Sequence, residues 1–475
     1  MELKVEVGCV EVETMSEPVS PTGQYFNSSV LSISIISILE FENPIDDSSS
    51  LALVNNVFLP INPRFSSIMV KDGEGGKLWK RVEVKGEDHI KVPVFPEGLS
   101  PESYDHYFND YLSKIAMDPL PQTRPLWEIH VFKYPTSNAS GSLVFKLHHA
   151  LGDGFSLMGA LLSCLQRADN PSLPLTFPNF QKSPKQDCEI KSLMSVVPHA
   201  LCGALNTVLD FGWSLLKSSF LEDNQTPIRS GKDGVEFRPI NIMTMTFSLD
   251  QIKKIKTSLQ VTINDVITGI IFLGTRLYMK ETCEEAKNAT STALVLLNTR
   301  SIGGYKSVNE MVQNQEAQIQ WGNQFGFLHV SLPKLHQYDQ RLNPLKFVQE
   351  TQNIIKKKRN SSAVYLTGML LESVRKYRGP EATAEYIHNT LRNSSMTVSN
   401  LIGPVEKMTL ANQPVKGLYF MVVNVPQSLT VTIMSYMDQL RVAVGSEKEL
   451  IDPAKFRKCT EKAFNIMYTT AVMAK

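Results

Sequence analysis

Two hydrophobic periods alternate along the chain. Gly141-Ser142-Leu143-Val144-Phe145-Lys146-Leu147 is an apolar run with few breakers and predicts a strand. Leu126-Trp127-Glu128-Ile129-His130-Val131-Phe132 reads the same way, and the polar stretch 135–141 between them predicts a hairpin loop. Phe155, Met158, Leu162 and Leu165 then recur at helical spacing. Earlier, residues 30–41 predict a buried strand, 51–57 a helix, and 82–84 and 90–92 short strands. This first half alternates strands with helices and closes near Ala168.

The second half opens with a strand expected at 243–247. Ser248-x-x-Gln251 and Thr262-x-x-Asp265 each have the form of a capping box. Ile263, Val266, Ile267, Ile270 and Leu273 continue the second as an apolar helical stripe. Strands are expected at 293–297 and 326–332, helices at 344–359 and 380–391, and a hairpin at 429–436 with 441–444. A last helix follows Asp452-Pro453. Between the halves, Pro171, Pro174, Pro178 and Pro184 give a linker composition, and a polar stretch at 222–239 closes it. The division expected is therefore a frayed start at 1–17, a domain at 18–170, a linker at 171–239 and a domain at 240–475.

Residues 196–217 are long and apolar enough to raise a membrane span. However, His199, Asn206, Asp210 and Lys217 recur on one helical face, and Asp210 would cost roughly 2.5–3.5 kcal/mol at a bilayer centre. Pro198 and Gly203 weaken a span further. A membrane-surface helix, a core-packing helix and a span remain open. The surface form places Leu201, Leu205, Val208 and Leu215 toward lipid and keeps Asp210 wet.

A chain of 475 residues exceeds one ordinary core and implies two domains. Forty-eight basic against 47 acidic residues leave a net charge of +1, which gives no electrostatic case for nucleic acid. The run Lys356-Lys357-Lys358-Arg359 reads as a solvated helix end; a functional version would meet anionic lipid headgroups or the phosphates of a ligand. The six cysteines form no C-x-x-C pair, so no zinc or redox motif is visible, and their scatter fits a reducing compartment. The charged N-terminus lacks the apolar stretch of a secretory signal, so a cytosol-facing protein is expected.

The densest chemistry lies in His148-His149-Ala150-Leu151-Gly152-Asp153-Gly154, where a strand gives way to a helix. Imidazole titrates near ~6.5, so such a group can take a proton from a hydroxyl at neutral pH. Asp153 alone would also serve as a helix N-cap. No G-x-S-x-G, G-x-x-x-x-G-K-[ST] or H-E-x-x-H occurs, which removes support for an acyl-serine route, nucleotide hydrolysis and metalloprotease chemistry.

The string resembles the H-H-x-x-x-D-G signature of the CoA-dependent acyltransferase superfamily. Pro125-Leu126-Trp127-Glu128, Asn264-Asp265-Val266, Ser399-Asn400-Leu401-Ile402-Gly403-Pro404 and the opening segment from Pro18 to Phe26, with its Pro18-Val19-Ser20-Pro21, resemble elements of the plant-type wax ester synthase/diacylglycerol acyltransferases, in family order. The D-F-G-W-G element of plant alcohol acyltransferases is missing near the C-terminus; Asp210-Phe211-Gly212-Trp213 lies mid-chain without the final glycine.

The resemblance implies an α/β (α+β) fold of two similar mixed-sheet domains with an active-site tunnel between them. It implies transfer of a long-chain acyl group from acyl-CoA to a long-chain alcohol or a diacylglycerol. His149 would be the general base and His148 a neighbour that packs or orients it. Asp153, followed by Gly154, would hold the motif loop by pairing with Arg300. Asn264, Ser399 and Asn400 are candidate oxyanion donors. Asn264 with Asp265 also simply suits a helix N-terminus, and Gly403-Pro404 an ordinary turn. No metal or cofactor is needed, acyl-CoA being a substrate. The lipid surface of the endoplasmic reticulum, facing the cytosol, or the plasma membrane would be the setting. A transferase for small hydroxylated metabolites, or a lipid-binding protein without catalysis, are the alternatives.

Overall fold

A computed structural model describes residues 17–48, 50–73, 76–176, 193–300, 321–335 and 344–473, with the side chains of 193–205 outside that description. The start expected to be frayed, apart from Glu17, and most of the proline-rich linker lie outside the described residues.

Two large sheets carry the fold. The first has seven strands in the order Ile90–Lys91, Trp127–Phe132, Gly141–His148, Ser34–Phe41, Gln413–Val423, Met408–Leu410 and Gln166–Arg167. The second has six, in the order Phe325–Ser331, Thr292–Asn298, Met396–Ile402, Leu429–Tyr436, Gln439–Glu447 and Ile240–Ser248. Parallel and antiparallel pairs mix within each.

The motif hairpin forms with Trp127 opposite Leu147 and Phe132 opposite Ser142. Its second strand is buried on both faces, which is why it reads as a continuous apolar run. The helix Ile263–Thr282 starts on a complete capping box, Thr262 and Asp265 bonding each other's backbone N–H. Its residues 265–279 are all buried against the second sheet and the helices Pro344–Arg359 and Pro453–Met473.

Several elements depart from the sequence reading. The strand Gln413–Val423 comes from the second half but pairs with Ser34–Phe41 in the first sheet. Its apolar period announces a strand, not a partner more than 370 residues away. A strand runs over Lys77–Arg81 and stops there, so Val82-Glu83-Val84 is not one; its ladder partner ends at Ser67 opposite Arg81. The helix Pro101–Met117 was not anticipated. It starts on Ser100, whose hydroxyl accepts from the Ser103 N–H, and buries Tyr104, Phe108, Leu112 and Ile115. The helix expected from 380 begins at 363: Ala363–Arg392 is two helices joined at Gly379, whose φ of 86° and following Pro380 break the axis.

The two sheets share a core in which Ile36, Ile38, Tyr419 and Met421 meet Ile242 and Ala443. Glu40 of the first sheet pairs with Arg441 of the second at 2.7 Å, both largely buried. Burial nevertheless pushes the Glu40 carboxyl up, against the pull of Arg441.

The helix Leu193–Ser219 contains the segment left open above. No single helix among the described residues is long and apolar enough to cross a membrane. Asp210 is not wet, as the surface form required: it is buried and accepts from Lys358 Nζ at 2.8 Å. Lys217 is buried and paired with Asp223 at 2.6 Å. The opposite face leaves Val208, Leu209, Trp213 and Leu216 exposed. Leu215 is half-buried, and the side chains of Leu201 and Leu205 lie outside the described residues. The basic run ends the helix Pro344–Arg359, and the Asp210 pair takes one of its charges.

Candidate active site

The ladder of Gly141–His148 ends with His148 opposite Ser34. The chain turns at once: the His149 N–H donates to the Ile33 carbonyl at 2.9 Å, and the Leu151 N–H to the His148 carbonyl. Asp153 then caps the helix Gly154–Ser163, accepting from the Ser156 N–H at 3.0 Å. Gly154 lies against Leu401; a Cβ there would sit 3.3 Å from Leu401 Cδ1.

The two histidines differ in what their nitrogens do. His148 Nδ1 accepts from the Ala150 N–H at 3.1 Å. Its Nε2 therefore carries the proton and donates to Ser32 Oγ, also at 3.1 Å. Burial, with His149 and Lys146 adding to it, pushes His148 down to about 3. It is a neutral ring with both nitrogens committed.

His149 is also buried, and burial holds it below the ordinary histidine value; the field of Asp153 opposes this without reversing it. Its Nδ1 lies beside the Asn323 side chain without a formed hydrogen bond. The ring packs against Phe26 at 4.7 Å and Phe325 at 5.5 Å between centroids. Its carbonyl accepts from Asn323 Nδ2 at 2.9 Å, which fixes the backbone under the ring. A neutral imidazole held by packing, with a nitrogen still uncommitted, can receive a proton.

Asp153 and Arg300 meet in a buried bidentate pair, at 2.7 and 3.0 Å. The carboxylate also accepts from the N–H of Ser156 and that of Gln324. Arg300 donates further to Ser156 Oγ at 3.1 Å and to the Gly322 carbonyl at 2.7 Å, and stacks on Phe155. Gly322 has φ of 120°, a backbone that favours glycine. Asp153 thus ties the motif loop to residues 321–324; it does not bond His149.

Asn264 and Asn400 come together: Asn400 Nδ2 donates to Asn264 Oδ1 at 2.9 Å. Ser399 is buried one position earlier in its strand. Among the described residues no hydrogen bond joins any of the three to His149. Phe26, Ser32, Asn323, Gln324 and Phe325 were missed as site residues. Phe26 closes the opening segment that carried the family resemblance, but nothing in the sequence tied it to His149. The others are contributed by segments that reach the motif only through the tertiary fold.

A cavity of about 430 Å³ opens beside the motif. Phe26 and Phe325, which pack on His149, line it together with Phe327, Val364, Leu371 and Ile387. It lies where the helix Pro21–Phe26, the strand Phe325–Ser331 and the helix Ala363–Arg392 converge, so both halves form its wall.

Comparison with known proteins places this site in context. The wax ester synthase/diacylglycerol acyltransferase catalytic domain matches residues 98–267, and the C-terminal domain of the same family matches residues 321–468. Wax ester synthase/diacylglycerol acyltransferase 4 of Arabidopsis thaliana is 30% identical over 460 residues, covering 92% of this chain and 86% of that one. Protein 5 of the same series is 29% identical, covering 94% and 92%. Among solved structures, a wax ester synthase/diacylglycerol acyltransferase from Marinobacter aquaeolei VT8 superposes with a TM-score of 0.59 at 14% identity, covering 96% of this chain and 99% of that one. The starter condensation domain of rhizomide synthetase, in complex with C8-CoA, superposes with a TM-score of 0.51 at 11% identity, covering 97% and 94%. The two solved structures share the fold.

Proposed function

The chain belongs to the wax ester synthase/diacylglycerol acyltransferase family, and we infer from this that it is an acyl-CoA-dependent O-acyltransferase forming wax esters, triacylglycerols or both. The observation that carries the reading to atoms is His149. It is a neutral imidazole with an uncommitted nitrogen, caged by two phenylalanines that also line the cavity.

In the proposed reaction a lipid alcohol lies in the cavity with its hydroxyl against His149. The ring takes the hydroxyl proton as the oxygen attacks the thioester carbonyl. The tetrahedral intermediate collapses, the C–S bond breaks, and the CoA thiolate takes the proton back from the imidazolium. A positioned base of this kind contributes about 10²–10⁴-fold. Asp153 and Arg300 hold the loop that carries the base. Asn264, Ser399 and Asn400 are proposed to stabilise the oxyanion, from the N-terminus of the helix Ile263–Thr282 and the neighbouring strand Met396–Ile402. The scheme needs no metal or cofactor, acyl-CoA being consumed as substrate.

The apolar side chains in the lining, Phe26, Phe325, Phe327, Val364, Leu371 and Ile387, support a long-chain acceptor over a small hydroxylated metabolite. We also propose that the protein works at a lipid surface, on the cytosolic side of the endoplasmic reticulum. Val208, Leu209, Trp213 and Leu216 on one helix are exposed, as are Tyr365 and Met369 on the helix packed against it, and Tyr365 also lines the cavity. Such a patch on a membrane would let a lipid pass into the cavity without crossing water.

The test is ester synthesis by membranes expressing the chain, given labelled long-chain acyl-CoA and either a fatty alcohol or a diacylglycerol. Labelled wax ester or triacylglycerol is expected. Ester formed only with small hydroxylated metabolites would replace the acceptor assignment, and lipid binding without any ester would overturn the enzymatic one.

A further inference from the structure

The chemistry above uses one end of the cavity; the other end is polar. Phe325, Phe327 and His329 alternate along their strand, so they share a face, and all line the cavity. His329 is 5% exposed, and neither ring nitrogen has a protein partner. Tyr386 lines the same cavity from the helix Ala363–Arg392. Its hydroxyl is buried beside Ser218 without a formed hydrogen bond.

Buried polar groups are ordinarily hydrogen-bonded. Two that make no formed hydrogen bond in one cavity match a ligand that brings a polar atom there. Burial holds His329 down to about 4, so near pH 7 the ring offers one N–H and one lone pair. The phenol offers the same pair of roles. Lys217 and Lys358, whose fields reach His329, are each committed to an aspartate, Asp223 at 2.6 Å and Asp210 at 2.8 Å. Of the charged residues lining the cavity, Arg375 is paired with Glu372, its Nε donating at 3.0 Å, so the cavity offers an uncharged oxygen the two neutral groups and a carboxylate no unpaired cation among the described residues.

The position of His329 sets where that oxygen sits. His329 lies four residue steps along the strand from Phe325, beside His149, a span of ~13 Å at ~3.3 Å per step. An extended alkyl chain with C–C bonds near ~1.5 Å spans this in roughly ten carbons.

We propose that the cavity binds a lipid chain bearing a second uncharged oxygen, a hydroxyl or a carbonyl, roughly ten carbons from the reacting hydroxyl, and that His329 and Tyr386 recognise it. The identity of the reacting end rests on the acyl-transfer reading; the polar end does not. The ester carbonyls of a diacylglycerol lie only a few bonds from its free hydroxyl, so they do not fill this role.

The experiment compares wild type, Tyr386→Phe and His329→Leu. Each is assayed with a plain long-chain primary alcohol and with primary alcohols carrying a second hydroxyl at successive positions. In wild type kcat/KM should peak for one position near ten carbons, about tenfold above the plain alcohol, the scale of a hydrogen bond to a neutral oxygen. The ratio of that diol to the plain alcohol should fall toward one in Tyr386→Phe, which keeps the ring's shape, and in His329→Leu. Equal kcat/KM for all alcohols in wild type, or a ratio unchanged in both variants, overturns the proposal. Binding of the same diols is read separately, by displacement of a fluorescent long-chain alcohol. If no alcohol yields ester but binding shows the position dependence and the Tyr386→Phe loss, the polar site stands and the acyl-transfer reading falls. If neither ester nor position-dependent binding is seen, both fall.

Discussion

The Asp153 carboxylate and the Arg300 guanidinium, 147 residues apart in sequence, share two hydrogen bonds in a buried setting. The pair clamps the motif loop to the segment that carries Asn323 and Gln324, and Asn323 in turn holds the His149 carbonyl. Among the described residues the Asp153 carboxylate accepts four bonds, none from His149. In the proposed chemistry it therefore holds the loop, where the acid of a triad would orient the base directly.

Loss of one partner should leave the other buried and unpaired. Asp153→Asn and Arg300→Gln should each cost about 3–5 kcal/mol in urea unfolding and lower activity. The double variant should lose much less than the sum. Strict additivity would show that the pair is not an energetic unit.

The two histidines should separate cleanly by readout. His148→Ala removes the acceptor of the Ala150 N–H and the partner of Ser32, a loss of about 1–3 kcal/mol in stability. Much of its ester synthesis should survive at a temperature where the fold holds. An equal loss of activity in His148→Ala and His149→Ala would mean that the roles are assigned wrongly.

Burial of neutral histidines ties stability to pH. His148 and His329 titrate near 6.5 when unfolded but are held to about 3 and about 4 in the fold. Below pH 6.5 the unfolded chain binds protons that the folded one refuses, so stability falls as the pH drops toward 4 and is fully present above 6.5. At pH 5 each contributes roughly 2 kcal/mol of loss. His329→Gln should flatten the wild-type slope between pH 6.5 and 4 by about 1.4 kcal/mol per pH unit. An unchanged slope would show that His329 is not buried neutral.

Much of this was legible in the sequence, and what was not has physical reasons. The motif strand and helix, the capping box at Thr262 and the helix 344–359 show their periods and caps locally. The pairing of Asp153 with Arg300 came from family resemblance. The aromatic cage of His149 was invisible because Phe26 and Phe325 meet only across the fold. The exchanged strand Gln413–Val423 follows the same rule: alternation makes a strand but leaves its partner open. The surroundings of Asp210 stayed open between wet and buried because a helical face says which residues lie together, not whether a neighbour such as Lys358 will cover them.

Membrane association should follow the exposed face of the helix Leu193–Ser219. Val208→Asp with Leu209→Asp changes two exposed side chains and should move the protein from membranes to the soluble fraction with its unfolding midpoint nearly unchanged. Loss of the fold would show that this face packs inward. A wild-type protein wholly soluble in lysates would remove the lipid-surface proposal altogether.

Catalysis by His149 is read most directly by the rate of labelled ester formation in His149→Ala against wild type, at saturating acyl-CoA and acceptor, with folding checked by unfolding midpoint. The ring is held below 6.5, so wild-type kcat should stay flat above that pH and fall only on the acid side as the base is protonated. The variant should lose at least about 10²-fold in kcat and retain no acid limb. A folded His149→Ala protein that keeps more than about a tenth of wild-type kcat would contradict the general-base role, since that loss is far below the ~10² expected of a missing base.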